Sequence, residues 1–435
     1  MTDESVQTAT LERPAGEPRL LTPARRKAVR RWWRRKPIHT GLVWLHRWPA
    51  LVLGLFLVAE CTSGALLLYH AEYWRATHGS FYHHTASADP LTVPQALDAV
   101  KRADPAFDAA WASLDDGVIV VGDSAYHYAH AVDPGSGHVS GRTDLNSGPM
   151  GFLENLHDCA FTCEGDPGYV SWLGKPVWNG GPTFLTGITW AALILGVLGC
   201  LMILLFFTGL KIWWPKLRQL GQRFYKVRSG RGASGRFARD YDLHNVIAAW
   251  SMPFILMWGI TGAAFEFPGV ENAWLAITGG HKPDPNAYAF DTDKPESTTQ
   301  VTYAQATSIA LAQVPGEVRY VELATKDVPY WAVEVKTDWA PYGHRLFYSG
   351  DTYVYVDAHD PGHTKVVGGP KENAANRFYD RSLEATHFGW NVNAWWRILW
   401  FVLGMAPFAL LVTGVSTWLY RRGVRKRRRA AGGTA

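Results

Sequence analysis

Cysteine is scarce in this chain, with four residues in 435, too few to build a fold of this length on disulfides. Cys61 and Cys200 lie inside apolar runs. That leaves Cys159 and Cys163 as a pair able to join in an oxidising compartment, or to act with His157 as metal ligands. No P-loop and no glycine-rich dinucleotide fingerprint occurs in the sequence. The chain therefore offers no recognisable seat for a nicotinamide or for ATP. Acidic residues are rare in the apolar runs, where Glu60 alone lies well inside one, which argues against a carrier with a central carboxylate pair. A net charge of +5 does not amount to a nucleic-acid surface, because no basic stripe alternates with aromatics in a folded segment.

The basic residues fall instead in three blocks, Arg25–Lys36, Lys216–Arg239 and Arg421–Arg429, each beside an apolar run. Lys and Arg held at membrane ends mark the cytoplasmic side. Trp, with 21 residues, gathers at the ends of the apolar runs, where an amphipathic indole favours the boundary with water. About 20 apolar residues in helix cross a bilayer, so the runs predict membrane spans over 42–70, 184–214, 244–267 and 394–420. With this number of spans all three basic blocks face the cytoplasm. Residues 1–36 read as a disordered basic tail, 215–243 as a basic cytoplasmic loop and 421–435 as a basic cytoplasmic tail. The segments 71–183 and 268–385 read as two extracytoplasmic α+β domains. Their expected helices are Val93–Val100 and Tyr303–Val314, and their expected strands Val118–Val121, Tyr126–Val132, Val318–Ala324, Tyr330–Lys336 and Thr352–Asp357. The turns Asp133-Pro134-Gly135 and Asp360-Pro361-Gly362 resemble each other.

The spans repeat. Leu45-His46 opens the first and Leu243-His244 the third; Gly64 and Gly262 follow those histidines by the same 18 residues. The second span closes on Thr208-Gly209 with Trp213, and the fourth on Thr413-Gly414 with Trp418. His157 precedes the second span and His387 the fourth. The chain thus reads as two parallel copies of one unit: a helix headed by histidine, an outside domain, a second histidine, a second helix.

A lone histidine at a helix end reads as one that meets the interface or bonds a carbonyl; four at repeat-equivalent places suggest ligands. Neutral imidazole binds iron well, and a b-type heme needs axial ligands and an apolar slot rather than a covalent cysteine link. By depth His46 pairs with His244 and His157 with His387, one heme near each face. His46 and His70 are 24 residues apart, about 36 Å along a helix, a depth that one heme does not bridge and two in relay do. His70 is an alternative outer ligand. Arg47 and Arg397 are candidates for heme propionates or for interface anchors. His78, His83 and His84 form an outside cluster that reads as a solvated loop or a metal contact. Pro253 and Pro407 are expected to kink their helices.

The motifs Leu45-His46-Arg47-Trp48, Thr62-Ser63-Gly64, Leu243-His244-Asn245, Thr261-Gly262, His387-Phe388-Gly389 and Thr413-Gly414 with Trp418 resemble the PepSY-associated transmembrane family over roughly residues 40–422. Its members include iron-regulated inner-membrane proteins and siderophore-iron reductases. The outside segments resemble PepSY domains. The resemblance implies an α-helical membrane protein of four spans from a duplicated two-helix unit, with two extracytoplasmic PepSY-like domains. It implies b-type hemes on His46, His157, His244 and His387, and reduction of ferric siderophores at the outer face of a bacterial cytoplasmic membrane. The expectation is therefore a heme b oxidoreductase, a ferric or siderophore-iron reductase, set in membrane lipid. It takes electrons from quinol or a separate cytoplasmic reductase and does not engage nucleic acid. A non-enzymatic anchor that holds a protease, peptide or envelope partner is the rival class, and a metal or siderophore transporter a third.

Overall fold

The computed structural model describes residues 37–177, 187–214, 220–281, 300–326, 328–337, 345–347, 350, 352–368 and 373–431. The expected tail over 1–36, the first three residues of the second expected span, part of the basic loop and residues 432–435 lie outside the described residues.

Among the described residues, four helical segments are long and apolar enough to cross a membrane. They are α1 (Pro37–Leu67), α5 (Trp190–Trp213), α6 (Gly232–Glu266) and a broken pair, α11 (Ala394–Gly404) and α12 (Ala406–Ala430). The second starts later than the apolar run suggested, because the Thr189 side chain caps it by accepting from the Ala192 amide. The third starts twelve residues before His244, since the charged stretch from Gly232 continues the same helix, and α7 (Pro268–Thr278) follows it. The fourth breaks at Met405, and Pro407 sits in the first turn of α12, where its missing N–H leaves no bond unmade. Pro253 remains inside α6.

The four pack in a closed ring: α1 on α5, α5 on α6, α6 on α12, and α12 on α1. Glycine permits the closest approach, since a Cβ at Gly199 of α5 would come within 2.6 Å of the Ala263 nitrogen in α6. Outward, the ring exposes large apolar side chains such as Val52, Leu55, Phe56, Phe207, Val402 and Phe408. An exposed apolar band of this extent suits lipid rather than water.

The two outside segments meet in one sheet. Its strands are β1 (Ala109–Asp115), β2 (Val118–Asp123), β3 (Tyr128–Val132), β4 (Thr143–Asp144), β5 (Glu317–Glu322), β6 (Tyr330–Lys336), β7 (Thr352–Asp357) and β8 (Thr364–Gly368). Their spatial order is β4-β3-β2-β1-β5-β6-β7-β8, and every neighbouring pair is antiparallel. The seam between the halves is β1 against β5, with Trp111 opposite Glu322 and Ser113 opposite Tyr320.

Period-two alternation sends side chains to two cores. From β2, Ile119 and Val121 join Val93, Ala96 and Val100 of α3 (Val93–Ala103), while Val118 and Val120 turn to Trp111, Trp74 and Phe81. In the second half Val333, Val335, Val354 and Val356 pack on Ala306 and Ala310 of α8 (Tyr303–Gln313). Both covering helices open with the same capping box, Thr92 with Gln95 and Thr302 with Gln305. One sheet face is therefore sealed by helices. The other is aromatic and turns toward the helical bundle.

Candidate functional site

Short helices outside the spans carry two of the predicted histidines. His157 lies near the end of α4 (Gly148–Cys159), which starts after the edge strand β4. His387 ends α10 (Ala385–His387), reached through α9 (Ala374–Phe378) and a wide π-type turn over Tyr379–Glu384. They come together at the sheet end of the bundle. The centroids of the two imidazole rings lie 6.3 Å apart, with the ring planes tilted by 48°.

Each ring is fixed through Nδ1. That of His157 lies 2.9 Å from the Glu60 carbonyl, 3.2 Å from Ser63 Oγ and 3.1 Å from the Glu60 carboxylate. The His387 nitrogen lies 2.6 Å from Thr261 Oγ1. A glycine follows each of these hydroxyl residues and lets the ring lie against the helix. A Cβ at Gly64 would fall 2.5 Å from the His157 ring, and one at Gly262 3.8 Å from that of His387. Burial keeps both imidazoles neutral, with His387 pushed down to about 3 by desolvation and by its neighbour His157, and His157 lowered by burial.

The same device recurs at the basic end. His46 on α1 holds Thr208 Oγ1 with Nδ1 at 3.0 Å, and a Cβ at Gly209 would fall 3.1 Å from its ring. His244 on α6 has Thr413 Oγ1 at 3.0 Å and the Leu410 carbonyl at 3.1 Å, with Gly414 beneath its ring. All four predicted histidines thus rest on a hydroxyl-glycine pair of a neighbouring span, with Nδ1 engaged and Nε2 left for another partner. An outer hydrogen bond of this kind sets tautomer and ring orientation in histidine ligands. The hydroxyl-glycine pairs stand in the sequence as part of the repeat, but nothing there assigned them to the histidines. The signal was their equal recurrence beside four histidines.

A cavity of about 800 Å³ opens between the sheet-end pair and the aromatic face of the sheet. Its floor holds His157, His387, Gly64, Gly262 and Arg397; its roof holds Trp111, Tyr126, Tyr320, Glu322, Glu334 and Tyr353. The volume is within the range of ligand sites.

The secondary candidates take varied places. His70 starts α2 (His70–Thr77), lines the cavity and lies 3.9 Å from Glu154. Arg397 is 3% exposed, donates to the Leu68 carbonyl at 3.0 Å and pairs with Glu72, while its Nε is buried without a partner. Arg47 lies over the Trp48 ring and also has a buried, unpartnered Nε. Cys159 and Cys163 are joined in a disulfide just beyond His157, so neither is a thiolate ligand. His78 stacks on Trp74 and His84 bonds the Tyr82 carbonyl. Among the described residues no group of three or more His, Cys, Asp or Glu is placed to hold a metal ion.

Heme is a group whose seat here can be tested on the residues present. Two metal–imidazole bonds of roughly 2 Å each, with the ring radii added, separate ring centres by about 6 Å. The sheet-end pair meets that spacing, its imidazoles are neutral, and the adjoining cavity has Leu57, Leu195, Leu198 and Met202 in its walls. The buried Arg397 Nε is a free donor in the same cavity. The residues therefore fit the group.

A family model described as the PepSY-associated TM region matches residues 43–421. No curated protein matches the chain.

Proposed function

The chain belongs to the PepSY-associated TM region family, and from that footing we propose that it is a heme b membrane oxidoreductase. It passes electrons across a bacterial cytoplasmic membrane to a ferric siderophore or another ferric chelate outside. The observation that carries the reading is the pair His157 and His387, with ring centroids 6.3 Å apart, over a cavity that reaches the sheet.

On this reading His157 and His387 hold one heme, and His46 and His244 a second. Heme supplies a one-electron carrier whose potential the protein tunes by ligand and surroundings. The chain's own residues do the rest. Ser63, Thr208, Thr261 and Thr413 hold Nδ1 of the four rings. Arg397 offers Nε toward a propionate. The spans exclude water, and the sheet closes the cavity in which the acceptor meets the outer site. The basic blocks near α1, α6 and α12 support a cytoplasmic position for both termini. Electrons then enter from quinol or a separate reductase, a source in keeping with a sequence that shows no dinucleotide-binding fingerprint, and each ferric ion accepts a single electron. The matched capping boxes, hydroxyl-glycine pairs and four-strand halves support descent from a duplicated two-helix unit with one PepSY-like domain per copy. A non-enzymatic anchor for a protease, peptide or envelope partner would use the sheet alone and leave four oriented histidines without a task.

The test is an absorption spectrum of detergent-purified protein, oxidised and dithionite-reduced, with a pyridine hemochrome count. About two hemes per chain is the expected result, one for each histidine pair. A flat spectrum from cells supplied with heme would end this reading and favour the anchor.

A further inference from the structure

We propose that the sheet-end cavity selects a cationic acceptor, an intact metal complex of net positive charge, and that the seam of the sheet is the surface that binds it. The inference deepens the electron-transfer reading and takes only the word acceptor from it; the binding site stands on its own residues.

Charge comes first. Among the described residues the cavity is lined by six carboxylates and two guanidiniums. Arg397 is already tied to Glu72, and Arg345 lies 4.4 Å over the Trp390 ring. Carboxyls brought together around a cavity repel one another when ionised, and burial shifts them toward the neutral form, as it does Glu154 and Asp158 here. A cationic guest relieves both costs; an anionic one adds to them.

The roof gives the second, independent observation. Trp111 stacks with Tyr320 at 5.5 Å and with Tyr126 at 5.8 Å, and aromatic faces attract cations. The Tyr320 hydroxyl donates to the Tyr126 hydroxyl at 3.0 Å, which donates to Glu322 at 3.1 Å. Tyr353 bonds Glu334. Burial holds the phenols of Tyr320 and Tyr353 protonated far above their ordinary range. They are thus hydroxyl donors and acceptors rather than phenolate ligands, a lining that docks a whole complex instead of stripping its metal. Residues of both halves meet here, Trp111 and Tyr126 from the first and Tyr320, Glu322, Glu334 and Tyr353 from the second, so neither half forms the site alone.

Two inert cobalt(III) complexes of opposite charge test this, the hexaammine cation and the hexacyano anion. Each is titrated calorimetrically into the full-length protein in neutral detergent. The expected result is saturable binding of the cation, weakened about tenfold in Glu322→Gln and further in Glu322→Gln with Glu334→Gln, as loss of a close charge pair implies. Glu317→Gln, an exposed carboxylate on the same strand β5, should leave cation binding unchanged. The hexacyano anion, drawn to the arginine-rich ends of the chain, should bind no more weakly in the glutamine variants. Glu322 is only partly buried, so its variant folds, and an unchanged melting temperature verifies this. Absence of saturable cation binding overturns the proposal. Equal affinity in wild type and Glu322→Gln, or equal loss in Glu317→Gln, overturns it too. Protein without heme that still binds the cation through Glu322 keeps this proposal and ends the electron-transfer reading; heme-loaded protein indifferent to Glu322 does the reverse.

Discussion

The two histidine pairs reach similar surroundings by different routes. At the basic end both histidines belong to the spans themselves, His46 on α1 and His244 on α6. Their positions follow once each helix is in the ring. At the sheet end His157 and His387 sit on short helices outside the spans and are carried to Gly64 and Gly262 by long intervening chain. The first pair is a product of helix packing. The second needs the outside region folded, with the disulfide after α4 and the wide turn before α10 both in place. A site on a spanning helix is thus stiff by construction, whereas one on a connecting segment can meet an external molecule, at the cost of depending on more of the fold.

The largest separation of the two comes from removing a ligand. His387→Ala is expected to lower heme from about two to about one per chain, and His244→Ala to do the same at the other site. Distinct reduced spectra of the two variants would identify the pairs; full heme retention in both would dissolve the comparison and the heme reading with it.

Glycine gives the next effect. Gly64→Ala brings a methyl to 2.5 Å from a ring already fixed by Ser63 and Glu60. It should weaken heme retention at the sheet end by roughly 10–100-fold, the range for disturbing a ligand's support. Gly414→Ala, with 3.6 Å of room beside His244, should change nothing measurable. A heme titration of the two proteins decides it.

Hydroxyl removal is finer. Thr261→Val takes the hydroxyl from His387 Nδ1, while after Thr413→Val the His244 nitrogen keeps the Leu410 carbonyl. About tenfold weaker heme binding is expected for the first and less for the second. Equal losses would mean that the carbonyl does not support His244.

The smallest effect is that of the disulfide. Cys159→Ser frees a loop of only a few residues, for which the chain-entropy relation gives about 2 kcal/mol. Thermal unfolding should show that loss, with heme release beginning at the sheet end and the basic-end pair still loaded. Release from the basic end first would reverse the stated dependence.

Much of the fold is legible in the sequence. The spans, the repeat of Leu-His and Thr-Gly, and the four histidines all rest on local pattern. So do the strands Tyr330–Lys336 and Thr352–Asp357, which match their expected bounds. Others escaped for identifiable reasons. Strand β1 carries Ala, Ser and Asp among its residues and shows no alternation until β2 and β5 pair on either side. Helix α4 has glycine and proline at its start, signals that read as a turn. That two outside segments form one sheet depends on an edge pairing between residues some 200 positions apart, which no local window contains.

Four membrane spans and four histidines at recurring places follow from local sequence pattern, because hydrophobicity, charge and helical spacing act over a few turns of chain. That each histidine rests on a hydroxyl and a glycine from another helix is a product of packing. So are the approach of His157 to His387 and the seam between two half-sheets that roofs the space above them. Those are contacts between groups distant in sequence, fixed by ring size, hydrogen-bond reach and close packing, and they come into existence only when the helices close and the sheet joins.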